Sequence, residues 1–395
     1  MEFTFSDRIA ALQPSAIREI LKATADPEIV PFAAGNPAPD AFPVDAVREI
    51  TVDIMANDPI TALQYGVTEG YEPLKKTVAA YMKKKHNVGR DFDSIIITSG
   101  AQQIMDLATK VLVNEGDTVI CEAPSFIGSL NCFRAYNAKL AGVPVEADGM
   151  DTEKLEEVLK TEKNAKFIYT IPNFQNPSGA TMSLEKRKEV YRLAKKYGVL
   201  ILEDNPYGDL RVSGEHIPPI KSFDEDGIVI YAGSFSKILS PGMRVGYVIA
   251  PAELIAKMTV GKQTSDVHTT MLCQMIVERW MNNYDFEGHI QKICGIYKKK
   301  LDLMCSLLDS ELGDFVTYHK PEGGLFIWCK LPEKVDMMDF CRKAVEQKVA
   351  VVPGSAFMVD ESAKTDCFRI NFSTPTDEKI VEGMKRLSKA ADFYR

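Results

Sequence analysis

The sequence is poor in the residues from which metal centres and disulfide frameworks are built. Its 395 residues include five histidines and eight cysteines, which are scattered and form no H-E-x-x-H or C-x-x-C pattern. Without such spacing, neither a zinc site nor a disulfide framework is indicated. We therefore expect no bound metal, and we expect the cysteines to be reduced thiols in a cytoplasmic protein.

Features typical of membrane proteins and nucleic-acid-binding proteins are also missing. No apolar run approaches the roughly 18 residues that a membrane span requires. The N-terminal residues, MEFTFSDRIAAL, do not show the basic and then apolar regions of a signal peptide. The formal net charge of -8 gives no electrostatic reason to bind nucleic acid or an anionic membrane. What remains is an ordinary globular composition, 45% hydrophobic and 26% charged, in a chain long enough for two domains.

Over residues 45–285, short apolar segments alternate with longer amphipathic segments. SIIIT, KFIYTIP, VLILED and GIVIYAG are typical of strands, and AQQIMDLATKVLVN and LEKRKEVYRLAKKYG are typical of helices. Strands that are apolar almost throughout are buried on both faces, which predicts an α/β fold with a mainly parallel sheet covered by helices. Residues 286–395 predict a smaller α+β domain. Residues 1–44 are expected to pack on it, because FAAGNPAPDAFP is too rich in Pro, Gly and Ala to fold alone.

Open parallel sheets bind ligands beyond the carboxyl ends of their strands, so the residues that follow each strand are candidates for a site. SIIIT runs into Gly100, Ala101 and Gln102, where a helix begins and free backbone N–H groups could bind a phosphate. A plain helix cap is the alternative. The G-x-G-x-x-G and P-loop patterns are absent, so nucleotide binding is not indicated.

The next two strand ends carry an amide and a carboxylate. After KFIYTIP, Asn176 lies in NFQNPSG and could reach a ligand, although Asn-Pro and Ser-Gly pairs are also common in turns. Asp204 directly follows VLILE, and a carboxylate buried there is costly unless it has a cationic or donor partner. A helix cap or a structural ion pair is the alternative for Asp204.

The segment YAGSFSKILSPGMRVGY carries the fourth strand end. Lys237 at a buried strand end is expected to have a lowered pKa and a nucleophilic amine. Arg244 offers a fork of donors that fits a phosphate, and Ser234 and Ser236 can donate to the same group. Together with Asp204, these residues specify a ligand that has a phosphate, a carbonyl and a basic ring nitrogen. Pyridoxal 5'-phosphate (PLP) meets all three requirements.

Motifs spread over nearly the whole chain carry a resemblance to one family. They are PSAIREILK, FAAGNPAPDAFP, ALQYGVTEGYEPLK, TSGAQQIMDL, EAPSFIGSL, IPNFQNPSG, LEDNPYGDL, GSFSKILSPGMRVGY, PEGGLFIW and FRINFS. The chain resembles the fold-type I PLP-dependent aminotransferases of class I/II, and most of all the 2-aminoadipate/kynurenine/aromatic aminotransferase group. The resemblance implies an N-terminal arm (1–44), a large PLP-binding domain with a mainly parallel seven-stranded sheet (45–285), and a C-terminal small domain (286–395). It also implies a homodimer with shared active sites.

The resemblance further implies how the cofactor is held, with Lys237, Asp204 and Tyr207 as catalytic residues. Lys237 would form a Schiff base with PLP and carry the proton that leaves the substrate Cα, and Asp204 would bind the pyridine nitrogen. Tyr207 and Asn176 would hydrogen-bond the phenolic oxygen of the ring. Phe126 would stack on the ring, where relatives often have Tyr. The phosphate would be held by Gly100, Ala101, Gln102, Ser234, Ser236, Arg244 and, from the neighbouring subunit, Tyr65.

Four residues are implied in substrate binding. Arg369 of FRINFS matches the arginine that binds the substrate α-carboxylate through two hydrogen bonds, and a surface ion pair is the alternative. Gly35 lies in the substrate-facing loop, and Asn176 borders the same space. Arg18 of SAIREILK matches a residue that meets an acidic substrate side chain in aminoadipate-type relatives. For Arg18, an ion pair on the helix surface is the alternative.

The implied activity is transfer of an amino group between an L-amino acid and a 2-oxo acid. Glutamate with 2-oxoglutarate is the expected donor pair, with an aromatic, 2-aminoadipate or branched-chain partner. Two other functions stay open at this point. The same fold carries PLP-dependent carbon–sulfur lyases and decarboxylases, and an aminotransferase-like domain senses effectors in some transcription regulators. Against the regulator, no basic helix-turn-helix precedes the aminotransferase arm in this sequence.

Overall fold

A central sheet of eight strands organises the fold. The structure is a computed structural model, and it describes residues 3–10, 12, 26–360 and 362–395. The strands are β1 (Asp93–Thr98), β2 (Thr118–Ala123), β3 (Lys139–Glu146), β4 (Gly149–Met150), β5 (Ala165–Thr170), β6 (Leu200–Asn205), β7 (Val229–Ser234) and β8 (Gly246–Pro251). Their order across the sheet is β1-β8-β7-β6-β5-β2-β3-β4.

The sheet is mainly parallel, as the apolar strand segments predicted. Strands β7, β6, β5, β2 and β3 pair in parallel, whereas β8 runs antiparallel to both β1 and β7. The strand number is eight and not seven, because the two-residue β4 pairs antiparallel with the end of β3 at the edge of the sheet. Every residue of β7 is buried, and β2 and β6 are almost as deeply buried, as expected for a sheet covered on both faces.

Helices pack on both faces of this sheet. The helices that precede β8 in the sequence are α1 (Asp7–Ala10), α2 (Val44–Asn57), α3 (Pro59–Leu63), α4 (Glu72–His86), α5 (Ala101–Leu112), α6 (Ile127–Arg134), α7 (Thr152–Thr161) and α8 (Leu184–Tyr197); α1 has no buried residue. Successive strand residues point to opposite faces. Phe167 and Leu202 therefore share a core with α5, whereas Ile168 and Ile201 share one with α7 and α8. Among the described residues, no helix is long and apolar enough to cross a membrane.

A second, smaller sheet forms in the last third of the chain. Its strands are β9 (Thr317–Tyr318), β10 (Phe326–Lys330), β11 (Val352–Pro353) and β12 (Cys367–Asn371), which pair antiparallel in the order β11-β12-β10-β9. The helices that follow β8 are α9 (Ala252–Gln263), α10 (Met271–Asn283), α11 (Phe286–Leu312), α12 (Met337–Glu346) and α13 (Asp377–Ala391). Of these, α9 packs against β1 and β8 of the large sheet, and α10 packs against α2, α3 and α4. The segment after residue 26 joins the last third of the chain, since Val30 bridges to Val349 and Asn371 N donates to Phe32 O at 2.8 Å.

Four strand ends meet at one edge of the large sheet. Strands β5, β6 and β7 are parallel, and β1 has the same direction because β8 is antiparallel to both β1 and β7. Their carboxyl ends are Thr98, Thr170, Asn205 and Ser234. The polar residues that follow these ends are therefore neighbours in space, at the edge where α/β proteins bind ligands.

Candidate active site

A cavity of about 680 Å³ lies at this edge of the large sheet. Its walls come from the strand ends, from the segment around Gly35 and, through Phe326 and Arg369, from the second sheet. The predicted residues that line it are Gly35, Ala101, Gln102, Phe126, Asn176, Asp204, Tyr207, Ser234, Ser236, Lys237, Arg244 and Arg369. The fold thus brings together most of the residues that the sequence singled out, from positions as far apart as 35 and 369.

Lys237 follows β7 and presents its amine to the cavity. Its Nζ donates to the carbonyl oxygen of Gly35 at 3.0 Å. Burial, together with the positive charges of Arg369 and Arg244, lowers the pKa of Lys237 to about 8. A substantial fraction of the amine is therefore neutral at slightly alkaline pH, and a neutral amine can act as a nucleophile or a base.

Asp204 has one oxygen bonded to the protein and one without a partner. Oδ2 accepts a hydrogen bond from the hydroxyl of Tyr169 at 2.8 Å. Oδ1 is buried, and the part of the chain that the structure describes offers it no hydrogen-bond partner. Burial raises the pKa of Asp204 to about 7, and the Tyr169 bond opposes this rise. A buried oxygen without a partner is costly, so Asp204 is built to meet a donor or a cation from a ligand.

Arg244 lies against the N-terminus of α5. Its Nη2 donates to Ser99 O at 3.1 Å, and its Nη1 donates to Pro241 O at 3.2 Å. The residue before α5, Gly100, has φ +79°, and a Cβ there would collide with the Arg244 guanidinium. Only glycine therefore permits this approach. The helix N-terminus and the guanidinium together form a cradle that favours an anion.

Ser234 and Ser236 border this cradle. Both serines are buried at the carboxyl end of β7, and Ser236 N donates to Ser234 Oγ at 3.1 Å. The turn that follows them is also unusual, because Arg244 itself has φ +53° after the short 3-10 helix Pro241–Met243. A left-handed conformation is costly for a residue with a side chain. Here it turns the guanidinium back toward α5.

Arg369 is buried and is not a surface ion pair. Its guanidinium carbon lies 4.0 Å from the centre of the Phe326 ring and 4.8 Å from that of Phe357. Nη1 donates to Asn176 Oδ1 at 2.8 Å, Nη2 donates to Ala33 O at 3.2 Å, and Nε has no partner within the described residues. Burial lowers the pKa of Arg369 to about 10, so it stays charged at neutral pH. A carboxylate would satisfy this group.

Asn176 connects the two ends of the cavity. Its side-chain oxygen accepts from Arg369, and its Nδ2 lies 3.4 Å from the hydroxyl oxygen of Tyr207. The Tyr207 ring in turn packs edge-on against Phe326, with 6.0 Å between the ring centres. The same amide is thus placed beside both a predicted cofactor residue and a predicted substrate residue.

The remaining predicted residues occupy different positions. Gln102 Nε2 donates to Gly128 O at 2.9 Å, and the absence of a side chain at Gly128 lets Gln102 and the Phe126 ring approach it. Tyr65 is not among the cavity residues. Its side chain is 83% exposed, and its ring contacts His268 edge-on at 5.8 Å. Arg18 lies outside the described residues.

The structure adds residues that the sequence did not single out. Phe326 and Phe357 both present their rings to the Arg369 guanidinium. Tyr169 bonds Asp204, and its hydroxyl accepts a hydrogen bond from Ser129 Oγ at 2.8 Å. A buried tyrosine hydroxyl usually needs a partner, but tyrosine is an ordinary strand residue, so nothing in the segment KFIYTIP singles Tyr169 out.

Comparison with known proteins decides the family. The chain matches Aminotransferase class I and II over residues 27–387. It belongs to this family. Aromatic-amino-acid aminotransferase 1 of Thermococcus litoralis is 41% identical over 389 residues, which are 98% of this chain and 93% of that protein.

Two solved structures of aminotransferases are similar along their whole length. Kynurenine aminotransferase of Pyrococcus horikoshii, in complex with PMP, has a TM-score of 0.95 at 38% identity, covering 99% of this chain and 97% of that chain. LysN, the α-aminoadipate aminotransferase of Thermus thermophilus, complexed with N-(5'-phosphopyridoxyl)-L-leucine, has a TM-score of 0.90 at 36% identity, covering 98% and 97%. The predictions of family, fold class, enzymatic activity and cofactor are thereby confirmed. The chain is a PLP-dependent aminotransferase, acting on an amino acid and a 2-oxo acid.

Proposed function

We propose that this aminotransferase exchanges amino groups between glutamate with 2-oxoglutarate and a second pair that is aromatic, branched-chain or formed from 2-aminoadipate. The observation that carries the proposal is the convergence of Lys237, Asp204 and Arg369 on one cavity. An amine, a carboxylate with a free oxygen and a buried guanidinium are the groups needed to bind PLP and an amino acid side by side. The names of the similar proteins, an aromatic-amino-acid, a kynurenine and an α-aminoadipate aminotransferase, support these substrates.

The residues present fit PLP. When bound, PLP supplies a carbonyl that reacts with amines and a ring that accepts electrons from the substrate Cα. Asp204 Oδ1 is the free acceptor that a protonated ring nitrogen needs, and the cradle at Gly100 and Arg244 suits the phosphate. Phe126 would stack on the ring. The phenolic oxygen would be held by Asn176 and Tyr207.

Three side chains have separate roles in the proposed reaction. Arg369 binds the α-carboxylate, which is common to all amino acid substrates, and leaves the side chain to vary. Lys237 Nζ would accept the proton from the substrate Cα as a general base and pass it to C4', the cofactor carbon that carried the carbonyl. Asp204 Oδ1 keeps a proton on the ring nitrogen, and this positive charge stabilises the negative charge that develops at Cα.

The lining also bears on the second substrate. Besides the polar residues, the cavity wall contains Pro31, Ala34, Ile127 and Ile171. Such apolar surface favours an aromatic or branched side chain. A contact between Arg18 and an acidic side chain stays a prediction, since that residue lies outside the described part of the chain.

The decisive experiment uses the purified protein with bound PLP and a panel of amino acids and 2-oxo acids. A true amino donor alone should convert the bound cofactor to pyridoxamine phosphate, with loss of its visible absorbance, and the matching 2-oxo acid should restore it. Release of ammonia and pyruvate with the absorbance retained would indicate a lyase. Binding of a DNA duplex at moderate salt would indicate a regulator.

A homodimer with shared active sites is part of the proposal. Exposed apolar side chains concentrate on α2, α3 and the residues that follow, a pattern that marks an interaction surface. They are Val44, Val52, Ile60, Leu63, Tyr65 and Val67. In the proposed dimer this surface meets a second copy, and Tyr65 reaches the PLP phosphate of that copy.

Mixing two defective variants tests the shared site. Lys237→Ala and Tyr65→Ala subunits are unfolded and refolded together, so that mixed dimers form. If Tyr65 serves the partner, each mixed dimer has one site with both residues intact, and activity should exceed that of either variant alone. If mixing gives no gain in activity, Tyr65 either serves the active site of its own subunit or takes no part in a site.

The predicted domains and location are proposed on the following support. The large sheet lies wholly within residues 93–251, inside the proposed PLP-binding domain (45–285), and the second sheet lies wholly within residues 317–371, inside the small domain (286–395). The arm (1–44) contributes Val30, which bridges to the small domain. All eight cysteines are free thiols, as they would be in the cytoplasm.

A further inference from the structure

A tyrosine behind the cofactor site has no part in the function described above. Tyr169 is the fifth residue of β5, and its side chain is fully buried. Its hydroxyl donates to Asp204 Oδ2 at 2.8 Å and accepts from Ser129 Oγ at 2.8 Å. Ser129, on α6, is fully buried as well. The three side chains form a chain of hydrogen bonds that ends at the predicted partner of the ring nitrogen.

Chemistry sets the direction of these hydrogen bonds. An ionised carboxylate can only accept, so the hydroxyl hydrogen of Tyr169 must point to Asp204, and the bond to Ser129 must be donated by the serine. Donation from Ser129 makes the tyrosine a stronger donor, because successive hydrogen bonds polarise one another. The two oxygens of Asp204 are therefore unequal. Oδ2 is bonded to Tyr169, and Oδ1 has no partner among the described residues.

We infer that Tyr169 is a positioning residue for transamination: its bond to Oδ2 keeps Asp204 ionised and aims Oδ1 at the cofactor, so that the shared proton stays on the ring nitrogen. The inference rests on the proposed role of Asp204. A hydrogen bond to the charged form makes a carboxylate less basic. Without the tyrosine hydroxyl, Asp204 becomes more basic and draws the proton to Oδ1. A ring with an unprotonated nitrogen is a weaker electron acceptor.

The other titratable groups around Asp204 do not substitute for this bond. Glu122 on β2 is a second buried carboxyl, whose oxygens are already bonded to β5 and the loop after it, and its charge disfavours a charge at Asp204. Tyr207 is bonded to the Asn176 amide. Lys237 faces the same cavity, and its Nζ donates to the carbonyl oxygen of Gly35. Tyr169 is the donor that the described residues provide to Asp204.

The test replaces Tyr169 with Phe, which keeps the ring that Phe133 contacts edge-on at 5.3 Å. The full chain, labelled with 13C at aspartate carboxyls, is titrated without PLP, and the Asp204 signal is identified by its loss in Asp204→Asn. In Tyr169→Phe its titration midpoint should rise by about one to two pH units. Ser129→Ala should raise the midpoint by a smaller amount. With 15N-labelled PLP bound, the ring-nitrogen signal of Tyr169→Phe should move toward the unprotonated form.

A matched control separates this effect from the loss of any tyrosine hydroxyl. The Tyr394 hydroxyl also donates to a carboxylate, Asp339 Oδ2, at 2.6 Å, so Tyr394→Phe should leave the Asp204 midpoint unchanged. An unchanged midpoint in Tyr169→Phe overturns the inference. If that variant does not fold, an unchanged midpoint in Ser129→Ala overturns it. If the wild-type protein takes up no PLP, the proposed function fails, whereas the titration without PLP still decides the inference.

Discussion

Replacing Arg369 with lysine tests the substrate end of the cavity. The Arg369 guanidinium carbon lies 4.0 Å from the centre of the Phe326 ring and 4.8 Å from that of Phe357, and these contacts restrict the orientation of its planar fork. Lysine keeps the charge but offers a single ammonium group in place of the fork. At least one charge-assisted hydrogen bond to the substrate is then lost. Such a bond is worth about 1.5–3 kcal/mol, which corresponds to about a 10- to 150-fold loss of kcat/KM.

The assay is the first half-reaction, followed as loss of the cofactor absorbance at increasing concentrations of amino acid. Glutamate and phenylalanine should lose a similar factor, because each presents the same α-carboxylate to Arg369. An amine without a carboxylate, such as 2-phenylethylamine, should react with the variant about as it does with the wild type. An equal loss for this amine would refute the reasoning, since the defect would then lie in the cofactor site.

Arg211→Lys is the matched control for this prediction. The Arg211 guanidinium carbon also lies over a ring, that of Phe174, at 4.9 Å, and the group pairs with Glu322. Arg211 is not among the residues that line the cavity. Its replacement therefore removes a comparable stacked guanidinium without touching the substrate, and the half-reaction should be unchanged. Unfolding temperatures of both variants show whether stability differs.

Three further predictions concern the cofactor end. Lys237→Ala should lose both transamination and the absorbance of the PLP Schiff base, and an active variant would contradict the assignment. Covalent uptake of PLP by the cofactor-free protein, trapped with borohydride, should accelerate as pH rises through about 8 and then level, because burial and nearby arginines lower the pKa of Lys237 to about 8 and only the neutral amine attacks. A rate of uptake that does not change with pH over this range would contradict the lowered pKa of Lys237. Asp204→Asn should bind PLP more weakly, yet without PLP it should be more stable than wild type above about pH 7. The reason is that burial raises the pKa of this carboxyl from 3.8 to about 7, so the native state resists ionisation, and the advantage of Asn should vanish as pH falls toward 3.8. Thermal unfolding of Asp204→Asn and of the wild type, at acidic and at alkaline pH, measures this difference in stability.

Polar residues beside an apolar strand segment could be identified from the sequence as candidates for the site. Residues that are typical of a strand could not. Asp204, Lys237 and Arg244 each stand out as polar groups beside an apolar strand. Tyr169 does not, because tyrosine is an ordinary strand residue. Its hydroxyl meets Asp204 only because β5 pairs with β6 in one register, Tyr169 beside Leu202. A register between strands depends on the whole sheet, which no local segment encodes.

Contacts between segments that are distant in the sequence could not be predicted either, because they depend on how the whole chain packs. Lys237 Nζ bonds the carbonyl of Gly35, 202 positions earlier. Arg369 contacts the rings of Phe326 and Phe357, which the apolar segments around them present as ordinary core residues. The extra strand β4 is only two residues long, too short to leave an alternating pattern. Each of these features follows from tertiary packing.

The adjacent acids Glu203 and Asp204 show what distinguishes a ligand site from a merely buried charge. Both lie near the carboxyl end of β6 and both are buried, so burial alone makes each carboxylate costly. Side chains alternate along a strand, which sends the two acids to opposite faces of the sheet. Glu203 accepts from the backbone N–H groups of Ile220 and Lys221, each at 2.8 Å, and is thereby satisfied within the protein. Asp204 keeps Oδ1 free in the part of the chain that the structure describes. The missing partner, and not the burial, is therefore what distinguishes Asp204 as the proposed partner of a cofactor.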